Sequence, residues 1–96
     1  MGAFTRSGAF KDRTQFLAAV RSKIARLRDG ALRGFQEKWE EGTPARAFLT
    51  GFGAKLTFTI DAASWRIDAE IPSWLPVPQS AIEDKFDREF KELEGL

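Results

Sequence analysis

Cysteine, histidine and tyrosine are all missing from this 96-residue chain. Without cysteine there is no disulfide framework, no thiolate metal site and no thiol nucleophile. Without histidine the commonest general base and the commonest metal ligand are gone. Catalysis would have to run on carboxylate, lysine, serine or threonine, and no spacing of these suggests a site. The expectation is a protein that is not an enzyme and holds no cofactor or metal. Long hydrophobic runs are missing too: nowhere does the chain carry the ~18 consecutive apolar residues of a membrane-spanning helix. The opening MGAFTRSGAFKDR lacks the continuous apolar stretch of a secretory signal, and Arg6 stands where a myristoylation pattern wants Ser or Thr. The cytoplasm is therefore the expected location. The glycines form neither GxGxxG nor a Walker-type phosphate loop.

What is present fits a folded domain. Hydrophobic residues make up 43% and charged residues 30%, a balance of globular rather than disordered chains. A chain of this length is one domain and buries only ~60–65% of its unfolded surface, so little core is spare for a deep site. The net charge is +1 but unevenly spread: residues 1–46 sum to +5 and residues 47–96 to −4. Such asymmetry points either to an anionic partner or to oppositely charged elements packing together.

The clearest pattern runs from Ala54 to Ile71. Ala54, Leu56, Phe58 and Ile60 share one face of a strand, with Lys55, Thr57 and Thr59 on the other. After the turn Asp61-Ala62-Ala63-Ser64, Trp65, Ile67, Ala69 and Ile71 alternate with Arg66, Asp68 and Glu70. This is a β-hairpin with one apolar face. Ahead of it, residues 1–11 read as a flexible leader, with 12–96 forming the single domain. Asp12 and Gln15 make a capping-box-like start to a helix whose stripe is Phe16, Val20, Ile24, Leu27 and Ala31. Gly30 weakens that helix and Gly34 is placed to end it in the left-handed conformation. Residues 35–41 read as a short strand with Phe35, Glu37 and Trp39 on one side; a helix continuing to Glu41 stays open as the alternative. Gly42-Thr43-Pro44 is a turn, Ala45–Thr50 a further strand, and Gly51-Phe52-Gly53 a tight connection. Pro72, Pro76 and Pro78 make the next segment an extended crossover. The last element is a helix from Ser80, with Ser80 and Glu83 as its capping box and Ile82, Phe86, Phe90 and Leu93 as its stripe. Asp84–Arg88 and Asp87–Lys91 are spaced for ion pairs along it.

These elements predict an α+β domain: a small antiparallel sheet of three to four strands, with an N-terminal and a C-terminal helix packed on one face. Three stretches carry a resemblance: Lys38-Trp39-Glu40-Glu41-Gly42, the hairpin Ala54–Ile71, and Trp74-Leu75-Pro76 leading into the helix Ile82 to Leu93. Together they resemble the polyhydroxyalkanoic acid system proteins, a small bacterial family encoded near polyhydroxyalkanoate granule genes. The three prolines of the link and the length of Thr43–Gly53 depart from that pattern. The resemblance implies an accessory, granule-associated role and brings no functional residues with it.

Two surfaces are candidates for function. Phe48, Leu49, Phe52, Trp74 and Leu75 lie in or beside connections, where apolar side chains form a patch for a protein or a granule surface, or else cap the ends of a small core. Arg21, Lys23, Arg26, Arg28 and Arg33 form a basic helix face that would suit an anion, or else a solvated face paired with acids elsewhere. Near-neutral charge and the lack of a nucleic-acid motif disfavour nucleic acid as the partner. Asp68 and Glu70 share the polar strand face, where water keeps carboxylates ordinary and Lys55 is a cross-strand neighbour. An exposed sheet edge would also allow a homodimer.

Overall fold

The computed structural model describes residues 2–30, 32–74, 78–93 and 95. In chain order its elements are β1 (Gly2–Ala9), α1 (Arg13–Asp29), β2 (Gln36–Glu40), β3 (Ala45–Gly51), β4 (Ala54–Ile60), β5 (Ser64–Ile71) and α2 (Gln79–Lys91). The α+β class read from the sequence holds. The hairpin of β4 and β5 has Phe58 opposite Ile67 and Ile60 opposite Trp65, so their apolar residues share a face. Leu56, Phe58, Ile60 and Ile67 on that face are each 2% exposed or less.

The strand count is corrected upward. The sheet has five strands in the order β1-β5-β4-β3-β2, every neighbouring pair antiparallel, rather than three to four. The fifth strand is the segment read as a flexible leader: Gly2 pairs with Ile71 and each residue follows in register to Ala9 opposite Ser64. Without it β5 would present an open edge of unpaired backbone groups. Phe4 anchors the strand by burying its ring against Phe86, with centroids 6.0 Å apart. Gly8 is there for space, since a Cβ at that position would sit 2.8 Å from Nε1 of Trp65. Residues 36–40 are β2, on the opposite edge, which settles their reading as strand.

The helices begin differently. The Asp12 side chain accepts a hydrogen bond from the Gln15 amide, as its position predicts, and Gly30 caps α1 at its far end. Gly34 has a positive φ of 89°, but five residues beyond the end of the helix rather than at it. The expected capping box on α2 does not form. Pro78 takes the cap position with no side-chain hydrogen bond, which leaves Ser80 inside the first turn. Glu83 is instead drawn to Arg6 of β1, at 2.8 Å. Asp87 bonds the same arginine at 2.9 Å, while Arg88 Nε donates to the Asp84 carbonyl. The ion pair found along α2 is Lys85–Glu89.

Aromatic rings join the helices to the sheet. Phe16 of α1 stacks on Trp65, and Phe90 of α2 packs against both Trp65 and Phe58. Phe58 also meets Phe86 at 6.2 Å, and Phe10 stacks on Phe16 at 4.6 Å. Ala31, named in the helical stripe, lies outside the described residues. Replacing Phe58, which is 2% exposed, by Ala should cost about 3–5 kcal/mol through lost burial and the cavity left behind. Chemical unfolding reads this directly, and a change below about 1 kcal/mol would contradict the packing.

Candidate functional site

The basic face of α1 is largely spent on the molecule itself. Arg21 lies over the Trp39 ring at 4.0 Å and reaches Glu41 at 2.9 Å. Arg28 bonds Glu37 at 3.1 Å and donates to the Phe35 carbonyl. Lys23, though charged, is buried; its ammonium bonds Glu89 at 3.1 Å and also Glu92, and Arg26 stands 4.0 Å from Glu89. Glu37 and Glu41 flank or belong to β2, and Glu89 and Glu92 belong to or follow α2. The opposite signs of the two halves meet where Lys23 and Arg26 face Glu89 and Glu92, whereas Arg21 and Arg28 pair with acids of their own half. Of the five basic residues named from the sequence, Arg33 is the one without an ion pair among the described residues.

The Lys23 cluster shifts both partners. Glu92 first, then Glu89, hold the Lys23 ammonium above its ordinary pKa against the opposing cost of burial. The hydrogen bond from Lys23 in turn holds the Glu89 carboxyl below the ordinary carboxylate value. This is a pairing of two helices and offers no free acid or base.

The apolar candidates separate. Leu49 is fully buried, because the alternation of β3 turns Ala45, Ala47 and Leu49 into the core; it is no part of a surface. Phe48 falls on the other face of that strand, half-buried beside Thr57 of β4 and Lys38 of β2. Leu75 lies outside the described residues. Phe52 and Trp74 remain, and they stand at the rim of the same cavity, 59% and 66% exposed.

Phe52 is held there by its turn. Gly51 pairs with Ala54, so Phe52 and Gly53 form a two-residue hairpin loop between β3 and β4. Such loops favour positive φ at both central positions, matching the twist of the strands. Phe52 has φ 54° and Gly53 φ 82°. For glycine this is easy, but for a bulky side chain it is an outlier. The Phe52 ring leans on Phe35 at 5.8 Å.

Behind this rim lies a cavity of about 500 Å³, between the end of α1, the β3–β4 turn and the first half of α2. Its walls include Leu27, Leu32, Phe35, Leu56, Ile71 and Phe86, all buried in the core. The charged side chains among its described lining are Arg33, Lys85 and Arg88, all cationic. Sequence reasoning found the rim aromatics but missed the cavity, whose walls come from four elements and the connections between them and share no local pattern.

The carboxylates that the sequence offers are held by neighbours. Asp68 is held by Thr5 and Arg66, Asp61 by the Ala62 amide in its turn, and Glu37 by Arg28 and the Trp39 indole. Glu70 sits opposite Lys55 in the register. Among the described residues no three acidic side chains gather in a way that could hold a metal ion, and no helix is long and apolar enough to cross a membrane. No family model, curated protein or solved structure matches the chain.

Replacing Lys23 by Met should destabilise the fold by about 1–3 kcal/mol at neutral pH, since Glu89 stays buried with weaker partners. The Glu89 contribution is present above the ordinary carboxylate pKa and is lost as pH falls through its depressed folded value. The Lys23 contribution persists below the ordinary lysine pKa and is lost as pH rises through its raised folded value. The gap between wild type and Lys23→Met, measured by urea unfolding, should therefore narrow towards acid pH. At the turn, Phe52→Asn should leave stability within about 0.5 kcal/mol or raise it, because Asn tolerates the left-handed conformation and the lost ring is mostly exposed. A loss above about 2 kcal/mol would make Phe52 a core residue instead.

Proposed function

We propose that this chain is a non-catalytic interaction protein, its two helices blanketing one face of the sheet, and that it docks through the Phe52–Trp74 rim onto the surface of a polyhydroxyalkanoate storage granule. The observation that carries the reading is Phe52 itself. A bulky residue is kept at φ 54° with 59% of its surface in water, beside a tryptophan that is 66% exposed. Strained backbone of this kind persists where a side chain is needed in a particular place. An apolar polyester surface would bury both rings, and the resemblance in residues 38–42, 54–71 and 74–93 points to the same setting. Anion binding by α1 has less support, because Arg21, Lys23, Arg26 and Arg28 already have acidic partners.

Sedimentation with purified polyhydroxyalkanoate particles tests the proposal. The wild-type chain should pellet with the particles, and the Phe52→Ser, Trp74→Ser double variant should stay largely in the supernatant while keeping its unfolding midpoint. Equal pelleting of both proteins, or none by either, would end the proposal.

A further inference from the structure

We propose that the cavity behind Phe52 and Trp74 binds one dissolved aliphatic carboxylate, with its hydrocarbon tail between α1, α2 and the sheet and its carboxylate at Arg33, Lys85 and Arg88. This rests on the reading of the apolar rim as the binding end of the molecule, but takes a soluble ligand rather than a particle.

Three observations converge on that ligand class. The volume, about 500 Å³, falls within the range of small-molecule sites. The walls are aliphatic and aromatic and reach the core residues Leu27, Leu56 and Phe86, so the tail they suit is a hydrocarbon one. The charged side chains among the described lining are all cationic. Arg33 forms no ion pair among the described residues, Arg88 donates through Nε to the Asp84 carbonyl, and Lys85 stands 3.4 Å from Glu89. An anionic head would therefore meet two guanidinium groups and an ammonium, while a cationic amphiphile would be repelled. Guanidinium forks match a carboxylate in geometry as well as charge. A domain this small has little apolar surface to leave uncovered, and a bound tail would cover these walls.

Isothermal titration calorimetry of the full chain with decanoate, below the concentration at which it forms micelles, reads the proposal directly. One saturable site with a negative heat-capacity change is expected, the mark of apolar burial. Decanol, with the same tail and no charge, should bind about tenfold more weakly, the scale of losing a charge-assisted hydrogen bond. The Arg33→Gln, Arg88→Gln double variant should lower decanoate affinity to that of decanol and leave decanol unchanged. Ala81 lines the cavity from an exposed position on α2, so Ala81→Phe should obstruct it and abolish binding of both without unfolding the chain.

Absence of saturable decanoate binding, equal affinity for decanoate and decanol, or indifference to Ala81→Phe would each overturn the inference. Sedimentation with phosphatidylglycerol vesicles in the absence of decanoate binding would overturn it in favour of a membrane surface. Pelleting with polyester particles that depends on Phe52 and Trp74 while decanoate fails to bind would sink this inference and leave the granule reading standing. The converse result would sink the granule reading and leave this one.

Discussion

The fold depends on one aromatic junction. Phe58 and Trp65 stand on the same face of the central hairpin, and Phe86 and Phe90 of α2 close over them with ring centroids 5.7 to 6.2 Å apart. Phe16 extends the network to α1, Phe10 lies on Phe16, and Phe4 brings in β1 through Phe86. Rings are large and rigid, so a few of them fix the spacing of helices and sheet with little entropy left to lose. Their placement also divides the core. Seven rings form this connected network, whereas the walls beyond Phe86, towards the β3–β4 turn, are mainly aliphatic. The space that the rings do not fill is the cavity behind Phe52 and Trp74. Filling one half of the core with aromatics and leaving the other half open is a single packing decision, and it places the candidate site.

Charge completes the assembly. Arg6 joins β1 to α2 through Glu83 and Asp87, Lys23 joins α1 to the end of α2 through Glu89 and Glu92, and Arg21 and Arg28 join α1 to the β2 region. The exposed pairs among these contribute little each, while Lys23–Glu89 is buried. Their value is in register, because a like charge at any of these positions would oppose the docking that the rings favour. They also account for why a helix rich in arginine need not signal a nucleic-acid surface. Arg33 lies past the end of α1, forms no ion pair among the described residues and lines the cavity.

The sequence made β4 and β5 legible because one face of each is buried. Alternation alone identified β4 and β5 but left a helix open as the alternative at β2, and the Asp12 cap placed the start of α1. Where it misled, a longer-range partner prevailed over a local signal. Residues 2–9 look loose because Gly2, Ser7 and Gly8 have weak strand preference, yet Gly8 is small to admit the Trp65 ring and the strand is held by a partner more than fifty residues away. Glu83 sits in a sound local pattern for a capping box, but Arg6, distant in sequence, competes for the same carboxylate. Leu49 counts from the sequence among the connection residues that form a surface patch or else cap the core. Its inward parity in β3, shared with Ala45 and Ala47, was the signal to weigh instead. Phe52 and Trp74 were legible from their glycine and proline neighbours, but a cavity assembled from four elements and their connections was not.

The β3–β4 turn shows where local economy gives way. A two-residue connection between twisted strands asks for positive φ at both positions, and Asn-Gly satisfies this at the least cost. The chain supplies Phe-Gly. A left-handed conformation costs a residue with a Cβ roughly 1–2 kcal/mol, and full burial of a large ring could offset that. At 59% exposure, with Phe35 as its ring partner, Phe52 recovers only part of it. The stability of the isolated chain therefore gives no reason for phenylalanine at this position. A ring that overhangs an apolar cavity would gain its missing contacts only if something apolar arrived, which is the event that the proposed binding supplies.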